Sequence, residues 1–178
     1  MDKRTIENIR VKNQIAAAYI ELLKQSSVED AEMITISQIT SKANVSRMAY
    51  YRNFTSKTNI IEYYFSESLW QEFQEILPAG CPFWTVEYGT VFYQHLRKHR
   101  EEILVLKRHG YAELILSAFN SINEELIGDM PRNSIDRFQI YYAAGASYNA
   151  MLYWLEEGCK ESPEDISRNF ISFIGQAQ

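Results

Sequence analysis

Hydrophobic and polar positions follow a helical period along nearly the whole chain. Apolar residues recur three or four positions apart, as in the stripe of Ile15, Tyr19 and Leu22, and this spacing places them on one face of an α-helix. The sequence contains no convincing run of alternating β-branched residues and no internal repeat. The pattern predicts an all-α protein of about nine helices.

Capping residues predict where several of these helices begin. Residues 35–38 have the form of a capping box, in which a threonine hydroxyl and a glutamine side chain satisfy backbone N–H groups. Ser46 is expected to cap a second short helix, and either Thr55 or Ser56 a longer one that continues toward Leu77. Pro82 is expected at the first position of the next helix, and residues 162–165 (Ser-Pro-Glu-Asp) predict the start of the last one.

The charge is distributed unevenly between the two ends of the chain. Residues 1–62 hold 9 Lys+Arg against 7 Asp+Glu, a net charge of +2, whereas residues 63–178 hold 9 against 16, a net charge of −7. No acidic residue lies between Glu32 and Glu62, so an anionic partner is expected to dock there. Charge and aromatic content change near residue 60, which predicts one domain over residues 1–60 and a second helical domain over residues 61–178.

Two short predicted helices, at residues 35–43 and 46–53, have the spacing of a helix-turn-helix. The turn requires a residue with positive φ, and Asn44 stands at that position. Tyr50 and Phe54 fall on the side of the second helix that is expected to pack on the first. The opposite side is basic, and an α-helix of this kind fits the major groove of B-DNA.

The basic side of the second helix carries the predicted base contacts. Arg47 can bond a guanine edge in bidentate fashion, and Met48 can contact a thymine methyl group. The neighbouring cationic, phenolic and hydroxyl side chains are better suited to phosphates, which position the helix without specifying sequence. The predicted DNA-binding residues are Thr35, Lys42, Ser46, Arg47, Met48, Tyr51, Arg52, Thr55 and Lys57.

The run TISQITSKANVSRMAYYRNFTSKTNII, residues 35–61, resembles the DNA-binding signature of the tetracycline-repressor (TetR) family. The matching positions are Ile39, Ala43, Val45, Ser46, Tyr51, Phe54 and Lys57. Thr40, Asn44 and Tyr50 stand where the family usually has alanine, glycine and leucine, and the Thr40 hydroxyl is expected to bond a carbonyl one turn back. The run YYAAGASYNAMLYWLEEGCKESPEDIS, residues 141–167, is similar to the end of one bacterial branch of that family.

The resemblance implies a transcriptional repressor that binds a palindromic operator in double-stranded DNA as a homodimer. It also implies a pocket for a small apolar or aromatic effector. The implied dimer interface comprises Tyr142, Gly145, Asn149, Leu152, Tyr153, Ile166, Phe170 and Phe173; an intramolecular core is the alternative for these residues. The implied effector pocket comprises Trp84, Tyr88, Phe92, Tyr111, Phe119 and Tyr148; an aromatic stripe at helical spacing is more often core.

Neither a metal site nor a cofactor is predicted. Cys81 and Cys159 have no His or Cys companion at metal-ligand spacing. His95, His99 and His109 could be pH-sensitive or polar pocket groups, but the arginines that flank them in sequence favour a position at the surface. The apolar-leaning run at residues 141–154 is too short and too polar to cross a bilayer. The charged N-terminus lacks the apolar run of a signal peptide, which predicts a cytoplasmic protein.

Two other functions remain open at this point. The first is an all-helical enzyme or small-molecule carrier, although the sequence shows no nucleophile–base arrangement, glycine-rich phosphate loop or metal cluster. The second is a family-like coregulator that takes its signal from a protein partner and has no small-molecule ligand. A turnover screen and a search for a co-purifying polypeptide, respectively, would identify them.

Overall fold

A computed structural model describes residues 2–127, 131, 133–135 and 137–176, and these residues contain helices and no strand. The all-α prediction is therefore confirmed. The helices are α1 (Lys3–Lys24), α2 (Val28–Ala31), α3 (Ile36–Lys42), α4 (Arg47–Asn53), α5 (Lys57–Tyr63), α6 (Trp70–Ile76), α7 (Val86–Lys98), α8 (Arg100–Arg108), α9 (Ala112–Ile127), α10 (Arg137–Glu156) and α11 (Pro163–Gln176).

A π-helical turn at Tyr64–Leu69 joins α5 to α6 without a break. Residues 57–76 are therefore one continuous helix, which we call the connecting helix. Its first part packs on α1 and its last part on α7, while the π-helical turn contacts α9. The domain boundary predicted between residues 60 and 61 falls inside this helix, so the connecting helix belongs to both halves of the described chain.

The predicted helix starts are confirmed where a side chain caps the helix. Thr35 and Gln38 form the capping box, and the hydroxyls of Ser46, Ser56 and Ser162 accept the backbone N–H three residues further on, with oxygen–nitrogen distances of 3.1, 3.0 and 3.1 Å. Each of these caps satisfies a donor that the first helical turn leaves without a partner.

The prediction for Pro82 is wrong. The next helix, α7, begins at Val86, and Thr85 is its N-cap. Residues 82–85 form a turn instead, in which Trp84 has a φ of 62°. A non-glycine residue in this left-handed region cannot continue a right-handed helix, so the helix starts only after it.

One hydrophobic core extends through both halves of the protein. Ile15 and Ile39 lie at its N-terminal end and Leu106 and Trp154 at its C-terminal end, and all four side chains are fully buried. Further helix pairs complete the C-terminal half, where α11 packs on α7 and α10 packs on α9. Among the described residues, no helix has both the length and the hydropathy needed to cross a bilayer.

Polar contacts also join α1 to the C-terminal half. The Lys24 ammonium lies 2.8 Å from a carboxylate oxygen of both Glu101 and Glu102. The hydroxyls of Tyr19 and Tyr111 are 2.8 Å apart. Because α1 also packs on α3 and α4, it connects α8 directly to the predicted helix-turn-helix.

Candidate nucleic-acid interface and ligand cavity

The turn between α3 and α4 has the predicted conformation. Asn44 has a φ of 52°, and the Val45 N–H closes the turn by donating to the Thr40 carbonyl over 3.0 Å. The Thr40 hydroxyl donates to the Ile36 carbonyl over 2.9 Å, as the sequence predicts for this departure from the family pattern. The two short helices therefore form a helix-turn-helix with its positive-φ residue at Asn44.

One side of α4 is buried, and aromatic packing fixes its position. Tyr50 and Phe54 are 1% and 2% exposed, and their ring centroids lie 6.2 Å apart. The Phe54 ring meets Tyr63 of the connecting helix edge to face, with centroids 5.7 Å apart. Because these three rings join α4 to the connecting helix, a movement of that helix would be transmitted to α4.

The other side of α4 is exposed and basic. Met48 is 76% exposed and Tyr51 is 55% exposed, and both Arg47 and Arg52 are also exposed. The Tyr51 ring rests edge-on against Tyr50, with centroids 5.4 Å apart and an angle of 86° between the ring planes. Tyr51 is therefore oriented by the core, while the two guanidinium groups extend from the surface.

The positive charges on this surface have no acidic partner among the described residues. Residues 33–61 include no Asp or Glu, and in the part of the chain that the structure describes Lys42, Arg47 and Arg52 form no ion pair. Cationic side chains that stay unpaired on one side of a helix are suited to bind an anion such as the phosphate backbone of DNA.

Three of the residues predicted to contact DNA already make bonds within the protein. The Thr35 hydroxyl donates to Gln38 Oε1 over 2.8 Å, and the Ser46 hydroxyl accepts from the Ala49 N–H. The Lys57 ammonium donates to two backbone carbonyls, of Glu32 at 3.0 Å and Ile34 at 3.1 Å. Lys57 thus retains one N–H donor for a phosphate, and Thr35 would have to release Gln38 to donate to one. Thr55 is exposed.

Comparisons with known proteins agree with this geometry. The family model TetR_C_8, described as a transcriptional regulator C-terminal region, matches residues 91–176. A curated relative, the uncharacterized HTH-type transcriptional regulator YxbF of Bacillus subtilis (strain 168), is 21% identical over 180 residues, which cover 98% of this chain and 46% of the relative. The chain thus spans about half the length of that relative.

The chain belongs to the TetR family of transcriptional regulators. A solved structure, of the dihydroxyacetone kinase operon activator DhaS, has a similar fold, with a TM-score of 0.58 and 16% sequence identity over 93% of this chain and 95% of that one. The N-terminal helix-turn-helix and the matched C-terminal region together account for most of the chain.

A cavity of about 90 Å³ lies between the connecting helix, α7, α9 and α11 of this TetR-family protein. Four of the predicted effector-pocket residues line it, namely Trp84, Tyr88, Phe92 and Phe119. Its walls are mostly aromatic, with a few polar side chains such as Asn123, Ser147 and Ser167. Burial raises the pKa of Tyr88, so its hydroxyl stays neutral. A mainly apolar wall with few polar groups is typical of a small-molecule site.

Two of the predicted pocket residues do not line the cavity. Tyr111 bonds Tyr19 at the junction with α1. Tyr148 donates to the Ala112 carbonyl over 3.3 Å, and its ring packs against that of Phe119, a residue of the cavity wall, with centroids 6.2 Å apart. Helical spacing alone could not separate these positions, because Tyr111 lies in the turn before α9 and Tyr148 lies on a side of α10 that faces Ala112.

Four of the five predicted interface residues of α10, all except Leu152, form a mostly exposed stripe. Tyr142 and Tyr153 are 71% and 68% exposed, and Gly145 and Asn149 lie between them at spacings of three and four residues. Phe138 is 55% exposed and its ring lies 6.4 Å from that of Tyr142, so it extends the stripe. Phe138 is not among the predicted interface residues, although its four-residue spacing to Tyr142 is visible in the sequence.

The other predicted interface residues divide into exposed and internal positions. Leu152 is 7% exposed and belongs to the chain's own core, so its assignment to an interface is corrected. Phe170 is half-buried and packs against Trp84, with ring centroids 5.5 Å apart, as a wall of the cavity. Ile166 is half-buried against the core, whereas Phe173 is 60% exposed.

The expectation that the histidines lie at the surface is wrong. His95 is 4% exposed, and His99 and His109 are half-buried. His109 Nε2 lies 3.0 Å from the Leu23 carbonyl, at the end of α1. His99 Nε2 lies 3.1 Å from a carboxylate oxygen of Glu72. The arginines that flank the histidines in sequence point elsewhere, because adjacent residues lie on different sides of a helix.

Proposed function

We propose that the chain is a cytoplasmic repressor that binds a palindromic operator in double-stranded DNA as a homodimer. The observation that carries this proposal is the exposed and unpaired basic side of α4, which is held in place by the buried Tyr50 and Phe54. A short helix of this kind enters the major groove, where Arg47 would read a guanine and Met48 a thymine methyl group. Lys42, Tyr51, Arg52 and the hydroxyl side chains would position it on phosphates.

The homodimer is supported by the exposed stripe on α10. Large apolar side chains that form a continuous exposed patch indicate an interaction surface, and Phe138, Tyr142 and Tyr153 are all more than half exposed. Phe173 of α11 is exposed as well. Dimerisation would also supply a second α4 for the other half of a palindrome. A single short helix makes few base contacts, so two helices are needed for high DNA affinity.

The effector proposal is supported by the aromatic cavity. Its volume of about 90 Å³ lies below the roughly 300–1,000 Å³ of drug-sized sites, so we propose a small apolar or aromatic effector. A second cavity, of about 50 Å³, shares Trp70, Phe92, Phe119 and Ile122 as walls. Rotation of these side chains would join the two spaces and admit a larger ligand.

The mechanism would be a shift between two conformations. A ligand in the cavity touches α7, α9 and α11, and the connecting helix packs on α7 and reaches α4 through the Tyr63–Phe54 contact. If the ligand favours a conformation in which the two α4 helices no longer match the half-site spacing, it weakens DNA binding. The loss of binding free energy for DNA is limited by the difference between the ligand's binding free energies for the two conformations, typically about 1–3 kcal/mol.

The test is binding to the DNA upstream of the protein's own gene. Fluorescence anisotropy at moderate salt should show tighter binding to that duplex than to a random duplex of the same length. Equal affinities would contradict the proposal. A reporter gene placed downstream of the bound site should then be less active when the protein is present. If the reporter were more active, the protein would be an activator instead of a repressor. Activation is the role that the name of DhaS gives for that protein.

A coregulator controlled by a protein partner is the second candidate. The small volume of the cavity favours it, because only a limited set of molecules would fit without rearrangement. A polypeptide that co-purifies with the protein and changes its DNA affinity, while no small molecule does, would support this candidate over an effector.

A further inference from the structure

Three side chains from two packed elements converge between α6 and the C-terminal end of α7. They are Glu72 of α6, His95 of α7 and His99, which directly follows α7, and one ligand atom from each lies within 4.8 Å of the others. The two imidazole rings are 4.7 Å apart between centroids. His95 is buried, whereas Glu72 and His99 are half-buried, so the cluster is enclosed but close to solvent.

One nitrogen of each imidazole is occupied by a protein oxygen. His95 Nε2 lies 3.1 Å from the Leu69 carbonyl, and because a carbonyl can only accept, this nitrogen carries the proton. His99 Nδ1 lies 3.4 Å from the Tyr64 hydroxyl. A metal-binding histidine is usually held in this way, with its second nitrogen bonded to a carbonyl, carboxylate or hydroxyl group.

The other nitrogen of each imidazole is buried. Among the residues that the structure describes, His95 Nδ1 and His99 Nε2 have no hydrogen-bond partner. His99 Nε2 is 3.1 Å from Glu72 Oε2 but is not aligned for a hydrogen bond. Buried polar atoms are seldom left unsatisfied, because each costs about 1–3 kcal/mol. Two such nitrogens beside one carboxylate therefore require an explanation.

We propose that Glu72, His95 and His99 bind one divalent transition-metal ion, with Zn²⁺ as the leading candidate. Imidazole nitrogen suits Zn²⁺ and its neighbours in the first transition row, and a carboxylate oxygen is a regular third ligand. His95 would bind through Nδ1, His99 through Nε2 and Glu72 through Oε2. Three protein ligands leave a coordination position for water.

Lys98 is the feature that opposes the ion. Its ammonium bonds Glu72 Oε1, so Oε2 remains for the metal, but the positive charge lowers the electrostatic attraction of the site for a cation. Replacing Lys98 with methionine keeps most of the apolar stem and removes this charge. We expect Lys98→Met to tighten metal binding about tenfold. This factor assumes that the repulsion between the Lys98 ammonium and the ion is about as large as the interaction that shifts a pKa by roughly one unit.

The experiment measures metal binding by the full chain in a Cys81→Ser/Cys159→Ser background, in which no thiol can supply a ligand. Zn²⁺ affinity is obtained by competition with a chromophoric chelator, and Co²⁺ is added separately as a spectroscopic probe. We expect one saturable site per chain and a higher melting temperature with Zn²⁺, since a ligand that binds only the folded state stabilises it.

Matched variants distinguish this site from general surface binding. Glu72→Gln and His99→Gln should weaken Zn²⁺ binding by at least about 100-fold, and Tyr64→Phe, which removes only a supporting bond, by about tenfold. Glu75→Gln on the same helix and His109→Gln are the controls and should bind as the background does. Melting curves without metal establish that each variant is folded.

Two results would overturn the proposal. One is the absence of a saturable 1:1 site for Zn²⁺ in the folded background protein. The other is equal Zn²⁺ affinity in Glu72→Gln and Glu75→Gln. The assay uses no DNA, so its outcome is independent of whether the protein binds an operator.

Discussion

Arg47 and Lys42 carry the same charge but occupy different places in the helix-turn-helix. Arg47 begins α4, which would enter the groove, whereas Lys42 ends α3, which would cross the backbone. Arg47→Ala should therefore cost about 1–3 kcal/mol on the cognate site and relax the base preference. Lys42→Ala should weaken cognate and random DNA alike and lower the salt slope by about 1. Anisotropy titrations at several salt concentrations measure both effects.

The assignment of these two roles has a clear failing result. If Arg47→Ala weakened cognate and random duplexes by the same factor, Arg47 would contact phosphate and another side chain would read the bases. Met48 is the next residue to test in that case, because it is the most exposed apolar side chain of α4.

Lys57 supports the protein structure and is also proposed to contact a DNA phosphate. Its ammonium bonds the carbonyls of Glu32 and Ile34, which fixes the segment that leads into α3. Lys57→Met keeps the apolar stem but leaves both carbonyls without this donor, and we expect unfolding free energy to fall by about 1–2 kcal/mol. Urea denaturation measures the loss.

Lys42→Met is the control for Lys57→Met. Lys42 is exposed and unpaired among the described residues, so its replacement should change the unfolding free energy by less than about 0.5 kcal/mol. Unchanged stability in Lys57→Met, together with weaker DNA binding, would show that Lys57 acts mainly on phosphate.

Residue features that depend on near neighbours could be predicted from the sequence. The positive φ of Asn44 and the bond of the Thr40 hydroxyl to a carbonyl four residues back are of this kind. The carbonyl partners of Lys57 lie 23 and 25 residues away in sequence, and Glu72 and His95 meet across two helices. Such pairs depend on how helices pack, which one sequence does not specify.

At the scale of elements, the close approach of α7 and α11 depends on Gly89. A Cβ atom at this position would lie 2.9 Å from Ser167 Oγ and 3.0 Å from Ser167 Cβ. Ser167 is 1% exposed and its hydroxyl donates to the Pro163 carbonyl over 2.6 Å, so it cannot rotate away freely. Gly89→Ala should therefore force the helices apart and destabilise the protein by about 1–3 kcal/mol in thermal or urea unfolding.

Two further variants test whether the clash is the cause. Gly175→Ala changes a helical glycine of α11 whose added carbon would lie within 4 Å of no described atom other than its chain neighbours and the backbone of its own helix, and its unfolding free energy should change by less than about 0.5 kcal/mol. Adding Ser167→Gly to Gly89→Ala should recover part of the loss. If the two substitutions were additive in a double-mutant cycle, contact between these residues would not be the source.

Element boundaries could be predicted where a side chain caps the helix and were missed where the backbone departs from α geometry. Thr35, Ser46 and Ser162 identify three helix starts because each hydroxyl meets an N–H only three residues away. The π-helical turn at Tyr64–Leu69 has no such local marker. The turn around Trp84 was also missed, because its positive φ is rare for a residue with a bulky side chain.

At the scale of the whole molecule, the stripe on α10 makes the oligomeric state testable. Tyr142 and Tyr153 are exposed on one side of this helix, whereas Ala144, Met151 and Leu155 on the other side are completely buried. Charged substitutions of the two tyrosines should therefore leave the fold of a single chain intact. In a dimer, however, each would place a carboxylate against the apolar surface of the partner.

The double variant Tyr142→Glu/Tyr153→Glu should dissociate the proposed dimer. Buried interface aromatics cost about 2 kcal/mol or more each when lost, and both copies carry the substitutions, so the dissociation constant of the dimer should rise by a factor of at least roughly 1,000. Sedimentation velocity over a concentration series measures this change. Met33→Glu serves as the control, because it adds a charge at a residue that is 76% exposed on the loop before α3, and it should sediment as the wild type does.

Loss of the dimer should also separate the two kinds of DNA binding. A palindrome with half-sites about 34–36 Å apart is bound cooperatively by two linked α4 helices, so the double variant should lose affinity for the full operator while its weak binding to a single half-site remains unchanged. Arg47→Ala should show the reverse: it should dimerise as the wild type does but bind a single half-site more weakly. If the double variant dimerised normally, the stripe would be exposed for another partner, and the surface that links the two copies would lie elsewhere on the protein.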